Sequence, residues 1–314
     1  MFESYDIVKF SEKLKDIRSS LNLSQAQVSE VTGINIDTIR KIENGYSFPK
    51  YETLAHLSLC YKINLHNLLS EYLTSNLLYD FLKRLDKLIN GGKFSEIKNL
   101  YDTFISEIEK VEDLKLASQI ELKQIHYLIQ SVSLSYKDEL QLALETVTSG
   151  FRITIPNFEF NDFSHYTYSS LEVRLLIIAA AILGELRECH LSIQISKFVL
   201  DLLEIDTYSD KTEDVYVLKS LANISYNYHR LDDHAHALEY ANKGIEIALK
   251  KGYLDMLHFL FLRKAVAQLR LGIEEHINTF KNALYVLKIQ GDKEHFDHMV
   301  HIILDKYRLD FTDI

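Results

Sequence analysis

Apolar residues recur three and four positions apart along nearly the whole chain, and the strict alternation of a half-buried strand is almost absent. Two prolines and ten glycines in 314 residues leave little room for sheet turns. The pattern predicts an all-α protein. Beyond residue 70 it resolves into helix pairs: 76–90 with 94–109, 114–131 with 138–149, 168–187 with 190–204, 213–230 with 234–250, and 254–271 with 274–289, closed by a helix over 293–307. Pairs recurring every few tens of residues predict an α-solenoid, in which each unit buries its apolar face only against its neighbours. One stretch breaks the period. FRITIPNFEFNDFSHYTYSS, over 151–170, reads as a long aromatic connection of the kind that is often functional or mobile.

The N-terminal part has its own pattern. Over 24–45, Ser24 followed three residues later by Gln27 is a capping signal that starts a helix. Gly33 supplies the permissive backbone of a turn, and Asn35 caps a second helix whose inward positions are Ile39 and Ile42. Asn44 and Gly45 end that helix. Helix, turn and helix follow one another here, with Ile36, Asp37, Thr38, Arg40 and Lys41 left facing outward. Upstream, Phe10, Leu14, Ile17 and Leu21 lie at helical spacing, and downstream Leu54, Leu57 and Leu68 do the same, so residues 8–69 read as a five-helix unit. The expected domains are 1–70 and 71–314.

The run Leu14-Lys15-x-Ile17-Arg18, Ser24-Gln25 with Ser29, Gly33-Ile34, and Ile39 leading to Glu43-Asn44-Gly45, Pro49 and Leu54 resembles the Xre/Cro family of DNA-binding domains. That resemblance implies an ion pair between Arg18 and Glu43. Were the pair buried, removing one partner would strand the other at roughly 3–5 kcal/mol. It also implies that the second helix lies in the DNA major groove. Ile36 would then meet thymine methyls, Asp37 accept from a cytosine amino group, and Lys41 reach guanine. Gln25, Asn35 and Asn44, with Thr38 and Arg40, would hold the phosphate backbone, which orients without reading sequence.

Charge changes this picture. Residues 1–70 carry eight Lys/Arg and eight Asp/Glu, so the net −10 of the chain falls on the remainder. Because attraction to DNA scales with the phosphates neutralised, a neutral head needs a second copy, a palindromic site, or both. Dimerisation is expected to lie in the acidic remainder, which is not expected to touch nucleic acid.

The fourth helix pair carries the repeat signature. Leu221, Ile224, Ser225, Tyr228, Ala237, Ala241 and Gly244 stand at the spacing of a tetratricopeptide unit, with small residues where two helices cross closely, and the segment resembles that repeat. Taken whole, the chain resembles the RRNPP family of peptide-pheromone regulators, nearest in layout to its PlcR-like and Rgg-like members. The resemblance implies a homodimer that binds a double-stranded, palindromic operator and a short signalling peptide in the groove of the repeats. Spacing turns Lys219, Asn223, Tyr226, His229 and Arg230 of the fourth pair inward, with Asn227 alongside. Asn223 matches a family position that clamps peptide backbone, a task for which a carboxamide has both donor and acceptor. In the third pair Arg174, Ile177, Ile178 and Ala181 stand where relatives place a second asparagine, a departure that points to a more apolar ligand.

Other chemistry finds little support. His229, His234 and His236, and likewise His295, His298 and His301, are spaced closely but have no cysteine or HExxH pattern beside them, and they read as solvated rather than as metal ligands. No cofactor and no enzyme activity are expected. The longest apolar run, LLIIAAAILG over 175–184, is too short to span a bilayer, and no signal-peptide pattern opens the chain. With only Cys60 and Cys189, in different expected domains, the protein reads as cytoplasmic. Two further readings stay open. One is a phage- or plasmid-borne repressor of the same architecture controlled by a peptide or antirepressor, and the other a repeat-based scaffold that does not bind DNA.

Overall fold

The computed structural model describes residues 7–72, 75–90, 93–108, 116–205, 211–291 and 293–312. Among these residues there is no strand. The chain divides into two compact units, one of residues 1–82 with 113–119, the other of 83–112 with 120–314.

The first unit opens with α1 (Ile7–Ser20), α2 (Gln25–Thr32), α3 (Ile36–Glu43), α4 (Tyr51–Tyr61) and α5 (Leu65–Glu71). Ser24 and Gln27 form a reciprocal capping box at the start of α2, and Gly33 closes that helix at φ 70°. Asn35 Oδ1 accepts from the Asp37 N–H and starts α3. Its stop is made by Gly45 at φ 74°, whereas Asn44 keeps a negative φ. Phe10, Leu14, Ile17, Val28, Ile39, Ile42, Leu54, Leu57, Tyr61 and Leu65 form one core. Leu21, expected on the apolar face of the first helix, is instead exposed, because α1 has ended and Asn22 turns the chain in the left-handed region.

Helix α6 (Ser75–Asn90) crosses from the first unit to the second at Leu82, beyond the boundary expected at residue 70. The chain continues with α7 (Ile97–Ile108), α8 (Leu116–Tyr136), which belongs to the second unit from Ile120 onward, and then, all in the second unit, α9 (Leu140–Arg152), α10 (Ser170–Glu185), α11 (Cys189–Ile205), α12 (Lys211–Arg230), α13 (His234–Lys251), α14 (Leu257–Arg270), α15 (His276–Gln290) and α16 (Lys293–Tyr307). These agree with the expected pairs to within a few residues; the expected ends at 109 and 114–115 lie outside the described residues. From α9 onward each helix packs on the next. The first helices of successive pairs also touch directly, α10 on α12 and α12 on α14, while no second helix meets another as closely. The row therefore curves toward its first helices, which form the inner layer.

Two close approaches set the spacing of that row. A Cβ added to Gly184 would lie 2.7 Å from Asn227 Oδ1, and one added to Gly244 would lie 2.6 Å from Leu260 Cδ2. Asn227 is wholly buried and donates to Ser192 Oγ and to the Asn223 carbonyl, both at 2.9 Å. Ser192 in turn donates to the Ala180 carbonyl at 2.5 Å, tying α10, α11 and α12 together.

The aromatic connection over 151–170 is packed, not a free loop. Phe158 is fully buried and stacks on Phe151 at 4.0 Å, Phe163 and Tyr168 both meet Phe198 of α11, and the Tyr168 hydroxyl donates to the Phe163 carbonyl at 2.6 Å. Aromatic side chains buried in this way hold the backbone between them, so the segment serves as a wedge beside α9 and α11.

The two glycines should respond differently to alanine. Each gains about 1 kcal/mol of helix propensity, against an overpacking loss of roughly 1–3 kcal/mol. Leu260 can rotate its terminal methyls away, whereas Asn227 is pinned by its hydrogen bonds. Gly244→Ala should leave the denaturant midpoint nearly unchanged, and Gly184→Ala should lower stability by about 1–2 kcal/mol. Equal shifts in parallel unfolding curves would show that Asn227 is free to move.

Candidate functional site

The outward face of α3 is as the sequence pattern predicts. Ile36, Asp37, Thr38, Arg40 and Lys41 are all exposed, while Ile39, Ile42 and Glu43 are buried beneath them. Asn35 and Asn44, at its two ends, are exposed as well. Asp37 and Arg40 pair with each other at 2.9 Å, with both side chains more than half exposed. A pair so open to water is worth little, so either member can be recruited elsewhere at small loss. Beneath this face lies a clamp. Arg18 Nε and Nη2 donate to the two carboxylate oxygens of Glu43 at 2.6 and 3.0 Å, and Nη1 donates to the Leu23 carbonyl at 2.7 Å. The Arg18 guanidinium is held charged, its pKa raised by the Glu43 bond against the opposing effect of burial. Gln25, assigned to phosphate contact from the sequence, donates Nε2 to Glu43 at 2.7 Å. It is a third member of the clamp rather than a free surface amide, because the second carboxylate oxygen needs another donor once buried.

The inner layer of the repeats regroups the candidate peptide residues. Arg174 and Lys219 both bond to Asp86 of α6, Lys219 at 2.7 Å, in a crevice of about 10 Å³ that also includes Ile177 and Ile178. Such a space holds no more than a water. Burial alone would raise the Asp86 carboxyl, but Lys219 and Arg174 hold it below its ordinary value, while burial lowers the Lys219 ammonium against the pull of Asp86. These two cations, expected to face a ligand, are therefore already engaged with one carboxylate that they share. Ala181, from the same expected face, is exposed. Asn227 is also corrected: fully buried between helices, it has no path to a ligand.

Asn223 is different. Its carboxamide is half-buried on α12, and it has no hydrogen-bond partner among the described residues. One turn on, Tyr226 accepts a hydrogen bond from Arg230 Nη2 at 2.7 Å, and Arg230 is further held by Glu185 at 2.6 Å and by the Gly184 carbonyl. Tyr226 opens onto a groove of ≈ 520 Å³ bordered by α8, α14 and α16, with Tyr136, Phe259, Met299, Ile302 and Tyr307 on its walls. Arg263 lies in the same groove, its guanidinium 4.1 Å from the centre of the Tyr226 ring. Sequence reasoning missed Arg263 because the fifth pair is the poorer repeat match. The available signal was its place four residues after Phe259, on the same helix face.

The histidines are not all solvated. His229 donates Nε2–H to the Arg263 carbonyl at 2.9 Å, leaving Nδ1 to accept from His234 at 3.1 Å. Burial pulls its pKa down to about 4. It joins α12 to α14 and is not available to a ligand. His295 is also buried, edge-on to His258, whereas His236 is more than half exposed beside Asp233.

Head and body together define a helix-turn-helix protein built on a tetratricopeptide-like solenoid. Residues 11–73 match the helix-turn-helix domain family. The whole fold is shared with PlcR of Bacillus thuringiensis, solved in complex with the peptide PapR7 and DNA, at 18% identity and a TM-score of 0.71 over 93% of this chain and 99% of that one. ComR of S. thermophilus, solved with DNA and its signalling peptide ComS, is 14% identical with a TM-score of 0.54, covering 92% and 97%. The SHP pheromone receptor Rgg2 of Streptococcus dysgalactiae is 13% identical with a TM-score of 0.60, covering 95% and 99%. The RRNPP resemblance thus extends to the fold of nearly the whole chain. No curated protein matches it in sequence.

The depressed pKa of His229 sets a pH dependence. The unfolded chain binds a proton near the ordinary value of 6.5 and the folded chain only near 4, so the stability from the neutral ring is complete above about pH 6.5 and is lost as pH falls toward 4. Between those limits this histidine should contribute a slope of up to about 1.4 kcal/mol per pH unit. Unfolding free energies measured from pH 7 to 4.5 should fall more steeply for the natural protein than for His229→Gln, whose amide can still donate to Arg263. Parallel curves would assign the acid sensitivity to other groups, His258 first among them.

Proposed function

We propose that this protein is a cytoplasmic, sequence-specific transcriptional regulator, homodimeric on a palindromic operator, and controlled by a short signalling peptide held in the groove of its repeats. The observation that carries the reading is the pairing, in one chain, of an exposed α3 face set on a buried ion-pair clamp with a ≈ 520 Å³ aromatic groove in an inner layer of helices. A volume within roughly 300–1,000 Å³ suits a small ligand or a few peptide residues. The solved relatives named above include complexes with DNA and signalling peptide, which supports both partners here.

In this reading Ile36, Asp37 and Lys41 choose bases, while Asn35, Thr38, Arg40 and Asn44 hold phosphates. Asp37 is released from Arg40 on binding. Asn223 hydrogen-bonds the main chain of the peptide, with Tyr226 beside it. Peptide and operator are linked reciprocally: each strengthens the other if both prefer the same arrangement of the dimer.

Two measurements test this function. An operator selected from random duplexes should bind Lys41→Ala about 1–3 kcal/mol more weakly than the natural protein, with little change on unselected DNA. Equal losses on both would place Lys41 on phosphate, and no retardation of any duplex at low salt would leave a repeat-based scaffold. For the groove, Asn223→Ala should lower peptide affinity roughly ten-fold or more in calorimetric titration, the result of truncating one buried hydrogen-bonding group. Its melting curve and peptide-free DNA binding should stay as in the natural protein. Unchanged affinity would remove Asn223 from the site.

A further inference from the structure

Several buried or half-buried cations on or next to the inner layer have partners. Arg174 and Lys219 share Asp86, Arg230 is bonded to Glu185, and Lys197 on α11 donates to the Tyr228 hydroxyl at 3.0 Å. Arg263 alone among these is half-buried with no carboxylate, carbonyl or hydroxyl bonded to its guanidinium among the described residues. It lies over the face of Tyr226, which already carries Arg230 at 4.5 Å from the ring centre. Two guanidiniums thus share one ring and one carboxylate, Glu185, which is spent on Arg230. A charge left in that state is costly to keep buried. Burial accordingly lowers the Arg263 pKa, although Tyr226, Tyr307 and Glu185 nearby oppose the shift.

The remaining charges of the groove do not offset it. Lys93 and Glu96 on one side, and Glu294 and Lys306 on the other, are exposed residues whose signs cancel. The rest of the groove lining is mostly apolar or aromatic, with Phe259, Leu262, Met299 and Ile302, and also includes Ser95, His295 and His298. A guanidinium fork presented in such a place matches a carboxylate in charge and geometry.

We propose that Arg263 is the anion subsite of this groove, receiving a carboxylate of the bound peptide while the peptide's adjacent apolar or aromatic side chains pack on Phe259, Met299 and Ile302. The inference rests on the peptide reading above and deepens it: the ligand is a short peptide that brings its own negative charge to an apolar stretch. That carboxylate is either an acidic side chain or the C-terminus.

The test uses the full chain, immobilised, and two pools of randomised N-acetyl hexapeptides, one ending in a free carboxylate and one amidated. Retained peptides are sequenced by mass spectrometry for the natural protein, Arg263→Gln and Arg263→Lys. The natural protein should enrich carboxylate-bearing peptides roughly ten-fold or more over neutral ones. Enrichment confined to the free-carboxylate pool identifies the C-terminus, and a fixed Asp or Glu position in both pools identifies a side chain. Arg263→Gln should lose the preference while still retaining apolar peptides. Arg263→Lys, which keeps the charge but not the fork, should retain a weaker preference, and it decides the matter should Arg263→Gln fail to fold. Enrichment without carboxylate preference, or the same preference in both variants as in the natural protein, overturns the subsite and leaves the peptide reading intact. Retention of nothing from either pool overturns both.

Discussion

The inner layer depends on the contact between Gly184 and Asn227. With no side chain on α10 at that point, the carboxamide of α12 can enter the interface, and its bonds to Ser192 and the Asn223 carbonyl then fix where α12 sits. Arg230 adds a second hold by donating to the Gly184 carbonyl. Every candidate ligand residue of the fourth pair lies on this helix, so its rotation decides which side chains reach the groove and which are spent in packing. Tyr226 is turned to the groove, and Asn223 is half-buried. Asn227, one position past Tyr226, is turned into the interface.

Charge compensation decides the rest. In a solenoid each helix is covered by its neighbours only, and a cation on the inner layer is either paired by a carboxylate from another element or left facing the groove. Asp86, far away in sequence, performs the first task for both Arg174 and Lys219. Among the described residues none does so for Arg263. The same logic governs the head, where Glu43 is buried under the α3 face and needs Arg18 and Gln25 together to satisfy its oxygens. The clamp fixes α3 against α1 and α2 and leaves the outward residues free to meet a partner without rearrangement of the core.

The sequence by itself determined the all-α class, the caps of α2 and α3, the outward face of α3, the Arg18–Glu43 pair and most of the helix pairs. These follow from interactions within one helix turn, from period, or from a motif compact enough to be recognised. Spacing also turns Lys219, Asn223, Tyr226, His229 and Arg230 of α12 inward; Tyr226 lines the groove, while Lys219, His229 and Arg230 are bonded to other elements. Only the tertiary structure decided which inward charges are free. Asp86 stands 88 residues from Arg174 and 133 from Lys219, and no periodic pattern joins positions so far apart. The aromatic stretch over 151–170 gave no period because its rings pack on α9 and α11 rather than on a regular neighbour of their own. Arg263 was visible as a residue but not as an unpaired one, because the lack of a partner is a property of the whole surrounding layer.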